Sequence, residues 1–180
     1  MNITVFGSSS PSAGDPAYEE ARRLGDLLAR AGHCVLTGGY MGTMEAVSRG
    51  AAEAGGHTVG VTCDQIEAWR QAKANAWVRE ERRYASLRER LYTLIESCDA
   101  ALALPGGVGT LAEISVMWSQ MQTSSMPARP LVLIGRGWRR VFETLFVELD
   151  EHVSNTHRGL LTFAADVDAA LLIVQEKLAV

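Results

Sequence analysis

Residues Ala100 to Gln122 read AALALPGGVGTLAEISVMWSQMQ. The stretch opens as a continuous apolar run, Ala100 to Leu104. A turn follows, Pro105-Gly106-Gly107-Val108-Gly109, and from Thr110 the apolar residues take up helical spacing. A short run that is apolar at every position suits a strand covered on both faces. A strand that passes through a glycine turn into a helix is half of a βαβ unit.

Working outward, the same alternation fills the chain. Apolar runs at Ile3 to Phe6, Cys34 to Thr37, Val59 to Thr62, Leu131 to Ile134 and Leu160 to Phe163 read as further buried strands. Helical periodicity separates them. The first helix is expected to start at Asp15-Pro16, an N-cap acceptor followed by a proline suited to the first turn, and to stop at Gly32. Others are expected over Thr43 to Ala54, Leu87 to Ser97, Thr110 to Gln122, Trp138 to Leu149 and Val167 to Leu178. The fold class is therefore α/β, a Rossmann-like doubly wound parallel sheet with helices on both faces, built as one domain over residues 1–180. The irregular part is Cys63 to Tyr84, where Trp69, Trp77 and Tyr84 stand among many charges. It reads as a lid, an oligomer contact or an amphipathic surface helix.

Composition sets the outer limits. The chain has 180 residues, 47% of them hydrophobic and 21% charged, with net charge −4. A mildly acidic surface is a poor general partner for nucleic acid. The expectation is no membrane span, because an ~18-residue apolar run is missing, and no signal peptide at Met1 to Phe6. Cys34, Cys63 and Cys98 are far apart and odd in number, which fits a reducing cytoplasm rather than a disulfide framework or a zinc site. His33, His57, His152 and His157 are scattered, so neither a metal nor a cofactor is expected. Of 17 basic residues only Lys73 and Lys177 are lysines. GC-rich codons produce such a bias, and arginine also presents a planar fork suited to phosphate and carboxylate.

Three glycine turns fall at strand ends, where ligands of parallel α/β sheets bind. They are Gly7-Ser8-Ser9-Ser10, then Thr37-Gly38-Gly39-Tyr40-Met41-Gly42, then Gly106-Gly107-Val108-Gly109-Thr110. The last leads into a helix whose free N–H groups and positive dipole end favour an anion, most naturally a phosphate. Thr110 could cap that helix and offer a hydroxyl. Thr110-Leu111-Ala112-Glu113 also has capping-box spacing, so Glu113 reads equally as cap partner or as catalyst. Ser8 and Ser9 read as ligand contacts. Asn75 and Trp77 could cover a base or pack internally. Met117, Trp118 and Met121 have helical spacing and suit a core or a dimer surface.

Pro105-Gly106-Gly107-Val108-Gly109-Thr110-Leu111-Ala112-Glu113 matches the PGGxGTxxE signature of the LOG (Lonely Guy) proteins. Gly7-Ser8-Ser9 with Asp15-Pro16-Ala17-Tyr18 resembles the family's GSS…PAY pattern. Gly38-Gly39-Tyr40-Met41-Gly42-Thr43-Met44 resembles its second glycine turn, and Ala54 to Val61 its entry to strand three. Arg90 stands where the family has the arginine of its RKxxM motif. The lysine and methionine of that motif are Leu91 and Leu94 here. Thr37 and Glu45 replace the outer glycines of the second turn.

The resemblance implies a nucleoside 5′-monophosphate phosphoribohydrolase, which splits the N-glycosidic bond to free base and ribose 5-phosphate. It implies Glu113 and Arg90 as the catalytic pair. Gly106, Gly107, Gly109, Thr110, Gly7, Ser8, Ser9, Gly38, Gly39, Gly42 and Glu45 would form the phosphate and nucleotide site, with Glu45 narrowing the pocket or touching ribose. The partner is then a small nucleoside monophosphate, and the protein a homodimer. A non-catalytic nucleotide or molybdenum-cofactor carrier of the same fold is the competing reading. A lysine decarboxylase is disfavoured, since neither Lys73 nor Lys177 lies at a strand end for a Schiff base.

Overall fold

The structure, a computed structural model, describes residues 1–179. Seven parallel strands form one sheet in the order β4-β3-β2-β1-β5-β6-β7. They are β1 (Asn2–Phe6), β2 (Cys34–Thr37), β3 (Thr58–Cys63), β4 (Glu80–Tyr84), β5 (Ala100–Ala103), β6 (Leu131–Ile134) and β7 (Leu161–Ala164). The helices are α1 (Pro16–Arg30), α2 (Thr43–Glu53), α3 (Asp64–Arg70), α4 (Leu87–Glu96), α5 (Val108–Gln122), α6 (Arg136–Glu148), α7 (Asn155–Arg158) and α8 (Val167–Leu178). The sheet winds outward in both directions from β1 and β5, which pair from Ile3↔Ala100 to Phe6↔Ala103.

Both faces are covered, which is why the strands read as unbroken apolar runs. Ile3 and Val5 of β1 join Tyr18, Leu24 and Leu28 of α1, Val47 of α2 and Val174 of α8 in one core. Phe6 turns the other way, into a second core with Leu94 of α4, Ile114 and Met117 of α5 and Phe142 of α6. Thr4 is buried among them and is satisfied by donating its hydroxyl to the Leu94 carbonyl at 2.8 Å.

Helices α1 and α2 approach closely at two glycines. A Cβ on Gly25 would fall on the carbonyl oxygen of Val47, and one on Gly50 on that of Arg22. Only the absence of side chains permits this spacing.

Several boundaries depart from the sequence reading. Asp15 is the N-cap of α1, but its carboxylate accepts from Ser12 N at 2.7 Å instead of capping the helix. Helix α5 starts at Val108, not Thr110, and α6 at Arg136, not Trp138. Strand β7 lies one residue later than expected. The Cys63 to Tyr84 stretch contains α3 and an edge strand, β4. Charge conceals that strand: Glu80, Arg82 and Tyr84 are half-buried while Glu81 and Arg83 are exposed. Charged side chains along an edge also discourage pairing with another chain.

Candidate active site

The strand order reverses between β1 and β5, and ligand crevices of such sheets lie beyond the carboxyl ends of the strands at that point. A cavity of about 630 Å³ opens there. The turn after β1 lines it with Gly7, Ser8, Ser9 and Ser10, and the turn after β5 with Gly107, Val108, Gly109 and Thr110. Glu113, Arg90, Tyr40 and Met44 also line it.

The turns are stitched together through carbonyls. Thr43 donates its N–H (2.8 Å) and its hydroxyl (3.1 Å) to Ser8 O. Thr110 donates its hydroxyl to Gly7 O at 2.9 Å. That bond corrects the expectation that Thr110 caps α5: the N-cap is Gly107, and no side chain caps this helix. The N–H groups of the first turn have no intrahelical acceptor, and Gly107, Val108 and Gly109 are exposed at the cavity. An anion placed there meets oriented donors and the positive end of a 15-residue helix.

Glu113 is not a cap partner either. It is 9% exposed and faces the cavity. Burial pushes its carboxyl up from the ordinary 4.5 to about 7, opposed only by the charge of Arg90. The S/T-x-x-E spacing that does form a capping box is Ser86–Glu89, at the start of α4.

Arg90 follows directly on that box and is 6% exposed, unlike its neighbours Arg88 and Glu89 on the solvated face. Its guanidinium donates through Nε to Val61 O (2.8 Å) and through Nη2 to Gly38 O (3.1 Å), with Met44 Sδ at 3.9 Å. The Tyr40 ring lies 5.5 Å from Cζ. Glu113 is not among its hydrogen-bonding partners, so the cation is held by backbone carbonyls rather than neutralised. A buried cation is costly unless its donors are satisfied, and here the Val61 and Gly38 carbonyls satisfy two of them.

The second glycine turn supports the site from behind. Gly38, Gly39, Gly42, Glu45 and Gly106 do not line the cavity. A Cβ on Gly38 would strike the Arg90 guanidinium, and one on Gly42 would strike Ser8 and Ser9. Glu45, expected at the ligand, accepts instead from Tyr18 OH at 3.1 Å. Thr37, in place of the family glycine, holds this turn by accepting from Gly39 N at 3.1 Å. Asn75 donates to Gly39 O and Tyr40 O at 3.0 and 2.9 Å, and Trp77 packs under Arg49, so neither reaches the cavity. Met117 and Met121 are buried, and Trp118 packs edge-on against Phe142 while its Nε1 donates to His157 O. Met117 and Met121 are thus core, and Trp118 is half-buried against it.

The sequence reading named a lid, an oligomer contact or an amphipathic surface helix within Cys63 to Tyr84, and α3 is a helix there, but that reading placed none of the helix's residues at the ligand. Gln65, Ile66, Trp69 and Arg70 of α3 all line the cavity. The signal was Trp69 itself, an aromatic among charges.

Fold and site together define a Rossmann-like α/β protein with a glycine turn at a helix N-terminus and a buried carboxyl at its switch point. The chain belongs to the SLOG cluster4 family, whose profile matches residues 1–129. It is 29% identical over 180 residues to a probable cytokinin riboside 5′-monophosphate phosphoribohydrolase of Oryza sativa subsp. japonica, covering 97% of this chain and 77% of that one. It is 30% identical over 129 residues to the cytokinin riboside 5′-monophosphate phosphoribohydrolase of Rhodococcoides fascians, covering 70% of this chain and 65% of that one. Among solved structures it is similar to the molybdenum cofactor carrier protein of Chlamydomonas reinhardtii, with TM-score 0.74, 28% identity and coverage of 99% and 98%. No helix among the described residues is long and apolar enough to cross a membrane.

Proposed function

We propose that this protein hydrolyses the N-glycosidic bond of a nucleoside 5′-monophosphate to free base and ribose 5-phosphate. The observation that carries the reading is Glu113: a buried carboxyl, raised to about 7, facing the cavity in the second turn of the helix whose N-terminus forms the anion turn. A 5′-phosphate on the first-turn N–H groups of α5 sets the ribose beside that carboxyl.

The reaction breaks the C1′–N bond, whose electron pair leaves with the base. Charge builds on the ribose as an oxocarbenium-like state. The ionised Glu113 stabilises it and accepts a proton from the water that attacks C1′. The departing base nitrogen takes up a proton from solvent, and Glu113 gives the proton it accepted back to solvent, which restores the carboxylate. Arg90 stays protonated, so it serves as an electrostatic clamp with the N–H groups that Val61 and Gly38 leave free. A pKa near 7 keeps Glu113 within reach of both protonation states at neutral pH.

The test is incubation with the four common nucleoside monophosphates and chromatography of the products. Free base and ribose 5-phosphate support the hydrolase. Saturable binding of a nucleotide or a pterin without turnover supports a carrier instead. That second reading draws on the Chlamydomonas carrier's likeness and on Leu91, a half-buried core residue where the LOG pattern has lysine.

Gly107→Val separates binding from folding. A Cβ at Gly107 meets nothing within 4 Å, and its φ of −97° is open to any residue. Loss of a preferred N-cap type costs about 1 kcal/mol. The added side chain intrudes on the anion turn, so the dissociation constant for AMP should rise at least about tenfold, or ~1.4 kcal/mol. Unchanged affinity by calorimetry would refute the phosphate assignment.

A cytoplasmic homodimer completes the reading. The three cysteines are free, as a reducing compartment allows. The dimer contact would fall on the uncharged exposed strip of α5, including Leu111, Ala112 and Ser115. Light scattering at a monomer mass would remove it.

A further inference from the structure

Apart from the glycine turns after β1 and β5 and the residues around Arg90 and Glu113, the cavity lining comes from α3 and from Leu87 at the start of α4. Helix α3 is fastened without using its outer end. Arg83 pairs with Asp64 and Glu67 at 2.7 and 2.8 Å. Gln65 Oε1 accepts from Leu87 N at 2.8 Å, tying α3 to the start of α4. Ile66 packs on Tyr40, Met44 and Ala72.

Trp69 takes part in none of this. It is 74% exposed, yet it lines the cavity. The Arg70 guanidinium lies over its ring, 4.7 Å from the centroid. A large flat side chain at a cavity mouth, with most of its surface free, offers a stacking face to a flat ligand.

The geometry points to Trp69 as the surface on which the base of the nucleotide stacks. The assignment rests on the phosphoribohydrolase reading, which puts the phosphate on the α5 turn and the ribose at Glu113. The base must then lie against the remaining wall, and α3 is that wall. The role is one of positioning: stacking on Trp69 holds the base as C1′–N breaks, with no part in the proton transfers.

The experiment compares two ligands by calorimetry in a Glu113→Gln background, which holds AMP with little turnover, without and with Trp69→Ala or Trp69→Phe; melting temperatures are read on the single Trp69 variants. AMP carries the base, and ribose 5-phosphate lacks it. Because Trp69 is not packed in the core, both variants should keep the wild-type melting temperature. Trp69→Ala should weaken AMP by about tenfold, the scale of base–aromatic stacking, and leave ribose 5-phosphate within about twofold. Trp69→Phe should retain most of the AMP affinity. Equal weakening of both ligands, or undiminished AMP binding, would overturn the stacking role while the hydrolase reading stands. Wild-type protein that binds neither ligand would overturn both.

Discussion

Glu113→Gln should give a folded protein that binds AMP and releases adenine about 10²–10⁴-fold more slowly, the usual worth of a positioned general base. The substitution keeps the shape of the side chain and removes its charge and its proton. In the wild type, turnover should rise with pH through about 7 as Glu113 ionises, and this limb should vanish in the variant.

The same substitution should raise stability, and the sign follows from linkage. The carboxyl is at about 7 in the folded protein and near 4.5 when unfolded. Between those values the folded state holds the extra proton. Stability conferred on the protonated form is therefore lost as pH rises from about 4.5 to about 7. At ~1.4 kcal/mol per unit this amounts to ~3 kcal/mol above neutrality. Glu113→Gln should thus melt higher than wild type at pH 8, by up to about 10 °C for a chain this size, and the gap should close near pH 4.5. Calorimetric scans at the two pH values check it. A gap that ignores pH, or undiminished adenine release, would remove Glu113 from the mechanism.

Gly25→Ala and Gly50→Ala should each destabilise the fold by about 3 kcal/mol or more, although glycine to alanine inside a helix ordinarily stabilises by ~1 kcal/mol. Packing reverses the sign. The new methyl from Gly25 would land on the Val47 carbonyl, and that from Gly50 on the Arg22 carbonyl. Backbone cannot swing aside as a side chain can, so α1 and α2 must separate. The double variant should cost less than the sum, since both methyls push the same pair of helices apart. Urea midpoints measure this. Unchanged midpoints would mean the two helices slide freely.

How much was legible in the sequence depends on whether the signal was local. Cys34 to Thr37 and Leu131 to Ile134 read correctly to the residue, because burial leaves mostly apolar choices. Strand β4 did not, because an edge strand facing water carries Glu81 and Arg83 and loses its apolar mark. Ser86–Glu89 and Thr110–Glu113 have identical spacing, yet one is a capping box and the other is not. What separates them is Gly7 O, 103 residues away in sequence, which takes the Thr110 hydroxyl. The glycine turns announced a crevice. They did not show that Gly38 and Gly42 serve as clearance for Arg90 and Ser9, since clearance is defined by neighbours from other segments.

The seat of Arg90 has an evolutionary side. Its acceptors are the carbonyls of Val61 and Gly38, and every amino acid carries a carbonyl. Drift at residue 61 can change the side chain without withdrawing the oxygen that anchors the charge. A carboxylate partner would have offered a second codon whose loss could strand the cation. Here the inheritance of a fixed positive centre is entrusted to the course of the main chain, and two codons guard it: that of the arginine, and that of Gly38, whose missing side chain leaves room for the guanidinium.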